Sequence, residues 1–85
     1  MRVLLAPDAR RSFDRLPTLI KVRILGLFER LKSWPEISGA KPLRGRLWGQ
    51  YRMRAGDYRI QFRVERASES VIVVKVGHRD GFYDE

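Results

Sequence analysis

Three arginines at fixed spacing carry the first chemical signal. Tyr51–Arg52–Met53–Arg54–Ala55 alternates apolar and basic side chains, and so does Tyr58–Arg59–Ile60–Gln61–Phe62–Arg63–Val64. Period-two alternation means two strands, each with one apolar and one basic face. Gly56–Asp57 lies between them and predicts a tight hairpin. Arg52, Arg54 and Arg59 then share one exposed face. Guanidinium groups are permanently charged and present a planar fork of donors that matches phosphate, so this face is expected to grip phosphate. The surrounding stretch, Lys41 to Arg63, adds Lys41, Arg44, Arg46 and Arg63; its seven cations against the single acid Asp57 give +6, out of +8 for the chain. A uniformly solvated surface would not concentrate charge in this way.

Other plans for chemistry on phosphate fit poorly. A metal-dependent site wants clustered carboxylates, and the basic face offers only Asp57, expected to serve the turn. One histidine, His78, cannot form a two-histidine site. No glycine-rich phosphate loop precedes a helix. Neither a metal nor a cofactor is expected.

The elements that must position the arginines follow from the rest of the pattern. Eighty-five residues, 44% of them hydrophobic, make one domain spanning 1–85 with a small core. There is no cysteine, hence no disulfide and no thiolate chemistry. No apolar run approaches the roughly 20 residues of a membrane helix, and the N-terminal stretch is too short for a signal peptide. A cytoplasmic protein without membrane contact is expected. A sequence pI near 10.8 calls for a polyanionic partner.

Val3–Leu4–Leu5 reads as a short strand. Asp8 is the expected N-cap of a helix over Ala9 to Leu16. From Pro17 to Ser33, Ile20, Ile24, Leu27, Phe28 and Leu31 keep helical spacing, with Val22 and Leu25 widening the stripe. Glu36 to Gln50 reads as a long loop pinned by Leu43, Leu47 and Trp48. After the hairpin, Val71 to Val76 is a β-branched run expected to be the most buried strand. The order β-α-α-β-β-β predicts an α+β fold, a helical hairpin packed on one face of a small, mostly antiparallel sheet. Parity in the last strand puts Lys75, Gly77 and Arg79 with the arginines and His78 on the opposite face.

The order of elements, the segment Leu43–Arg44–Gly45, then Tyr51–Arg52–Met53–Arg54, Gly56–Asp57–Tyr58–Arg59–Ile60, and Val76–Gly77–His78–Arg79 with Tyr83, resemble the RelE/ParE superfamily of bacterial toxins over essentially the whole chain. The RelE branch of that superfamily implies an endoribonuclease that cuts messenger RNA in the ribosomal A site. It also implies a cognate antitoxin, here expected to be acidic, that wraps the toxin in a hetero-oligomer. The ParE branch shares the fold but poisons DNA gyrase. The resemblance carries catalytic roles onto Arg52, Arg54, Arg59, Arg79 and Tyr83. Lys41, Arg44, Arg46, Lys75 and His78 would assist in binding substrate. Two departures stand out: arginines occupy the positions where lysines are common, and no C-terminal helix is expected after Tyr83.

Metal-free RNA cleavage proceeds by attack of the 2′-hydroxyl on the adjacent phosphorus with departure of the 5′-oxygen. It needs a base, an acid and charge stabilisation of the phosphorane-like state. Guanidiniums suit the last task but are poor bases, with reference pKa values of about 12.5–13.8. Proton transfer falls to Tyr83 or to His78.

Overall fold

The structure, a computed structural model, describes residues 1–82. Strand β1 spans Arg2–Leu5, helix α1 Pro7–Asp14 and helix α2 Thr18–Leu31; strands β2 (Lys41–Pro42), β3 (Gln50–Ala55), β4 (Tyr58–Glu65) and β5 (Ser70–His78) follow. The strands form one sheet in the order β1-β5-β4-β3-β2. β1 runs parallel to β5, and every other pairing is antiparallel. The expected α+β architecture holds. The loop from Glu36 to Gln50 is more ordered than its sequence indicates: it contains the two-residue edge strand β2 and a 3₁₀ turn at Gly45–Leu47.

Both helices cover one face of the sheet. Ala9 of α1 and Ile24, Leu27, Phe28 and Leu31 of α2 meet Met53, Ile60, Phe62, Val71, Val73 and Val76 in one buried cluster. Val22 and Leu25 lie outside it, 62% and 48% exposed. At 100° per residue they point well away from the Ile24–Leu31 stripe, so the apolar face of α2 is narrower than its composition implies.

Helix α1 begins earlier than expected. Pro7 takes its first position, because a fixed φ and a missing N–H suit the first helical turn. Ala6 occupies the cap position, and Asp8 falls inside the first turn, ion-paired with Arg11 rather than capping. Its charge still lies near the positive end of the helix dipole.

Trp48 does not pin the long loop; it is 83% exposed. The anchor is Trp34, at the end of α2. Its ring meets Tyr51 edge-on at 4.7 Å and Phe62 at 5.5 Å, while Tyr51 stacks on Phe62 at 5.5 Å. Three rings in mutual contact fix the angle at which the loop leaves α2 and reaches the edge of the sheet.

β4 and β5 are in register on both sides of one irregularity: Phe62 pairs with Val73, but Gln61 pairs with Lys75. Val74 is therefore an extra residue on β5, a β-bulge. It reverses the parity of the strand. Val71 and Val73 face the helices before it, and Lys75 and Gly77 face the other way after it.

Candidate nucleic-acid interface

The sheet face away from the helices is built in rows that run across the strands. One row is Lys41, Arg52, Gln61 and Lys75; the next is Arg54, Arg59 and Gly77; a third is Gln50, Arg63 and Ile72. The hairpin alternation thus delivers Arg52, Arg54 and Arg59 to one surface, with Lys75 beside them. Gln61, buried, donates from Nε2 to Gln50 Oε1 and fills the space between the charged side chains.

Arg54 and Arg59 stand directly opposite each other. Like charges at such a position destabilise a sheet. Neither they nor Arg52 has a hydrogen-bonded or ion-paired partner among the described residues. Nη1 of Arg59 is buried from solvent without a hydrogen-bond acceptor among the described residues. An unsatisfied buried donor costs about 1–3 kcal/mol, and more when charged. An anion bound between Arg54 and Arg59 would relieve both the repulsion and the missing hydrogen bond.

At the other end of the same strand the outcome differs. Arg63 donates to Glu65, and the carboxyl of Glu65 is held below its ordinary pKa, first by that hydrogen bond and then by the guanidinium charge. This end of the face is neutralised internally.

The remaining expected site residues occupy several places. β5 ends at His78, so parity does not carry over to Arg79. Arg79 instead sits at the hairpin turn: its backbone N–H donates to Asp57 O at 2.7 Å, and its Nε lies 3.9 Å from the Asp57 carboxylate and 3.7 Å from that of Asp80. Its side chain is 58% exposed at the hairpin end of the arginine rows. Asp57 thus serves the turn and also ties the end of β5 to it. His78 lies on the opposite face as expected, edge-on to Tyr58 at 5.2 Å. Its Nδ1 accepts the Asp80 backbone N–H at 3.1 Å, which leaves the ring proton on Nε2. Nδ1 also lies 3.4 Å from the Asp80 carboxylate, a contact that becomes an ion pair only on protonation. Lys41 is exposed on edge strand β2, and Arg44 and Arg46 are exposed around the 3₁₀ turn beyond it. Tyr83 lies outside the described residues.

Phe82 was not legible as part of this surface. It is 3% exposed and packs on the basic face beside Gly77 and Lys75. The available signal was Gly77 itself, since a glycine inside a strand often marks close approach by another group.

A helical hairpin on a five-stranded mixed sheet, with one cationic face turned away from the helices, defines a class of small basic α+β domains. Residues 3–81 match the family described as ParE toxin of type II toxin-antitoxin system, parDE. The chain is 31% identical over 75 residues to Toxin RelG of Mycobacterium tuberculosis, covering 88% of this chain and 86% of that protein. The RelBE2 toxin-antitoxin complex of M. tuberculosis contains a chain of the same fold, with TM-score 0.79, 32% identity, and coverage of 92% and 90%. The RelB–RelE antitoxin-toxin complex of Methanococcus jannaschii gives TM-score 0.75, 27% identity and 95% coverage of both chains. The chain belongs to the RelE/ParE superfamily and is a toxin of the type II toxin-antitoxin class. Both of these structural neighbours come from toxin-antitoxin complexes.

Proposed function

We propose that this toxin is a ribosome-dependent endoribonuclease that cleaves messenger RNA through 2′-hydroxyl attack. The observation that carries the reading is the arginine row: Arg54 opposite Arg59, with a buried Arg59 nitrogen lacking an acceptor among the described residues. A scissile phosphate gains charge as the phosphorane-like state forms, and preorganised guanidiniums aimed at that charge lower the barrier. Arg59 and Arg54 would clasp the phosphate, with Arg52 and Arg79 at the flanks. Lys41, Arg44 and Arg46 extend the cationic surface along the loop and would hold neighbouring phosphates. Trp48, exposed beside that loop, offers a ring on which a base can stack. The proton transfers are assigned to Tyr83, with His78 as the alternative carrier. An acidic antitoxin covering this face would silence the toxin by occlusion and charge neutralisation.

A second reading is gyrase inhibition without catalysis. The match to the ParE toxin family favours it, whereas the similarity to Toxin RelG and the toxin of RelBE2 favours the first. Primer extension on messenger RNA from induced cells separates them. New in-frame 5′ ends within translated codons are expected. Their absence together with gyrase-linked DNA breaks overturns the ribonuclease reading in favour of the second.

A further inference from the structure

The chain does not leave the sheet at the end of β5. The Arg79 backbone N–H, bonded to Asp57 O, fixes the exit at the hairpin turn, and the Phe82 N–H donates to Arg79 O at 3.2 Å to close a second turn. These two bonds bring Phe82 back onto the arginine face. Its ring packs directly over Gly77: a Cβ there would meet Phe82 Cδ1 in van der Waals contact at 3.5 Å. Lys75, one position before Val76 and on the same face as Gly77, then holds the segment by two means. Its ammonium donates to Phe82 O and lies 4.7 Å from the Phe82 ring centroid. Gly77 is the cross-strand partner of Arg59, whose Nη1 is buried without a partner among the described residues.

We propose that Lys75 and Phe82 form a latch that roofs the arginine row and positions Arg59 for its phosphate. The proposal rests on the reading of Arg59 as an anion-binding group. An apolar ring beside a guanidinium displaces water, and in a less polar surrounding the attraction of that guanidinium for an anion strengthens. The roof also limits the rotamers open to Arg59, so less freedom is lost when phosphate arrives. Lys75 is here a positioning residue. It acts through Phe82, with its ammonium committed to the carbonyl and ring of that residue.

Inorganic phosphate is the probe, followed through the Arg59 side-chain Nε–H resonance, with hydrogen exchange of the Phe82 amide as a second readout. Lys75→Met removes the ammonium; Phe82→Ala removes the roof and leaves the charge unchanged; Lys75→Arg keeps both the donor and the cation over the ring. Lys75→Met and Phe82→Ala are each expected to weaken phosphate binding by roughly two- to thirtyfold, the span that a cation–π contact supports. Lys75→Met should also speed exchange of the Phe82 amide, and Lys75→Arg should restore both readouts. If Lys75→Met weakens binding while Phe82→Ala does not, Lys75 is a direct ligand and the latch is overturned. If both variants loosen the Phe82 amide and bind phosphate as the wild type does, the contact is packing alone, and the proposal fails as well. A wild-type protein that cuts no messenger RNA on ribosomes, yet loses phosphate affinity in both variants, removes the ribonuclease reading and keeps the latch.

Discussion

On the covered face of the sheet, Met53, Ile60, Phe62, Val71, Val73 and Val76 are buried against the helices. On the open face, alternating with them along β3 and β4, stand Arg52, Arg54 and Arg59. The first set completes its interactions within the chain: the rings of Trp34, Tyr51 and Phe62 satisfy one another, and the aliphatic side chains interlock with α2. The second set does not. Arg54 faces Arg59 across the hairpin, and one Arg59 nitrogen is withdrawn from water with no hydrogen-bond partner among the described residues. One face therefore accounts for stability. The other holds a like-charge pair and a buried, unpaired guanidinium nitrogen, two unfavourable terms that an anion bound between Arg54 and Arg59 would relieve.

The comparison breaks most forcefully at Phe62. It is fully buried and touches two other aromatic rings. Phe62→Ala is expected to destabilise the fold by about 3–5 kcal/mol in urea unfolding, and toxicity should fall only as far as the folded population does. A loss under about 1 kcal/mol would mean that the covered face is not where stability resides.

Arg59→Ala comes next and has the opposite signature. Its unfolding midpoint should stay level or rise, because the like-charge pair with Arg54 is gone. Single-turnover cleavage on programmed ribosomes should fall by about 10²–10³-fold, the usual cost of removing one donor to a developing oxyanion. Arg79→Ala is expected to fall in the same direction and by less, since its guanidinium lies near two carboxylates at the hairpin turn. An Arg59→Ala variant that is fully active at equal expression would dissolve the distinction between the faces.

Much of this was legible in the sequence because the hairpin alternates without interruption. Period two in Tyr51–Ala55 and Tyr58–Val64 places every arginine on one face, and Gly56–Asp57 fixes the register. The run from Val71 to Val76 is different. A bulge at Val74 has no compositional mark within five β-branched residues and a lysine, and strict alternation would set Val71 and Val73 on the same face as Lys75. The helices and the bulge together turn them inward. Asp8 looked like a cap because its side chain suits one, but Pro7 is better matched to the first helical position. Trp34 rather than the expected Trp48 anchors the loop, for a geometric reason. Trp34 leaves α2 directly over Tyr51 and Phe62, whereas Trp48 follows a 3₁₀ turn at the exposed edge. Phe82 folds back onto Gly77, and a tail of such mixed composition carries no periodicity from which that can be read.

The open face can be divided further at Arg63. It has the same side chain on the same strand face as Arg59, but it already has a carboxylate partner in Glu65. Arg63→Ala should leave cleavage near the wild-type rate and change stability by about 0.5 kcal/mol or less, as expected for exposed positions. A loss of cleavage as large as that of Arg59→Ala would extend the functional surface along the whole of β4 and remove the difference between its ends.

The smallest effect is a pH dependence confined to the Arg63 end. The Glu65 carboxyl titrates below its ordinary value because Arg63 donates a hydrogen bond to it and adds positive charge. A carboxyl whose pKa is depressed by folding stabilises the native state above its unfolded value of about 4.3, and that contribution disappears as pH falls through the folded value. Glu65→Gln cannot ionise. The wild type should therefore be slightly the more stable of the two at neutral pH, and their urea midpoints should converge on acidification. Because both side chains of the pair are close to half exposed, added salt should shrink the neutral-pH difference. A gap between wild type and Glu65→Gln that widens toward acid would reverse the sign required by the pair and would place the neutralising interaction elsewhere. At acidic pH, Arg63 loses its counter-charge and becomes electrostatically like Arg59, so phosphate affinity of the open face should rise slightly over the same interval. Glu65→Gln should show that higher affinity already at neutral pH.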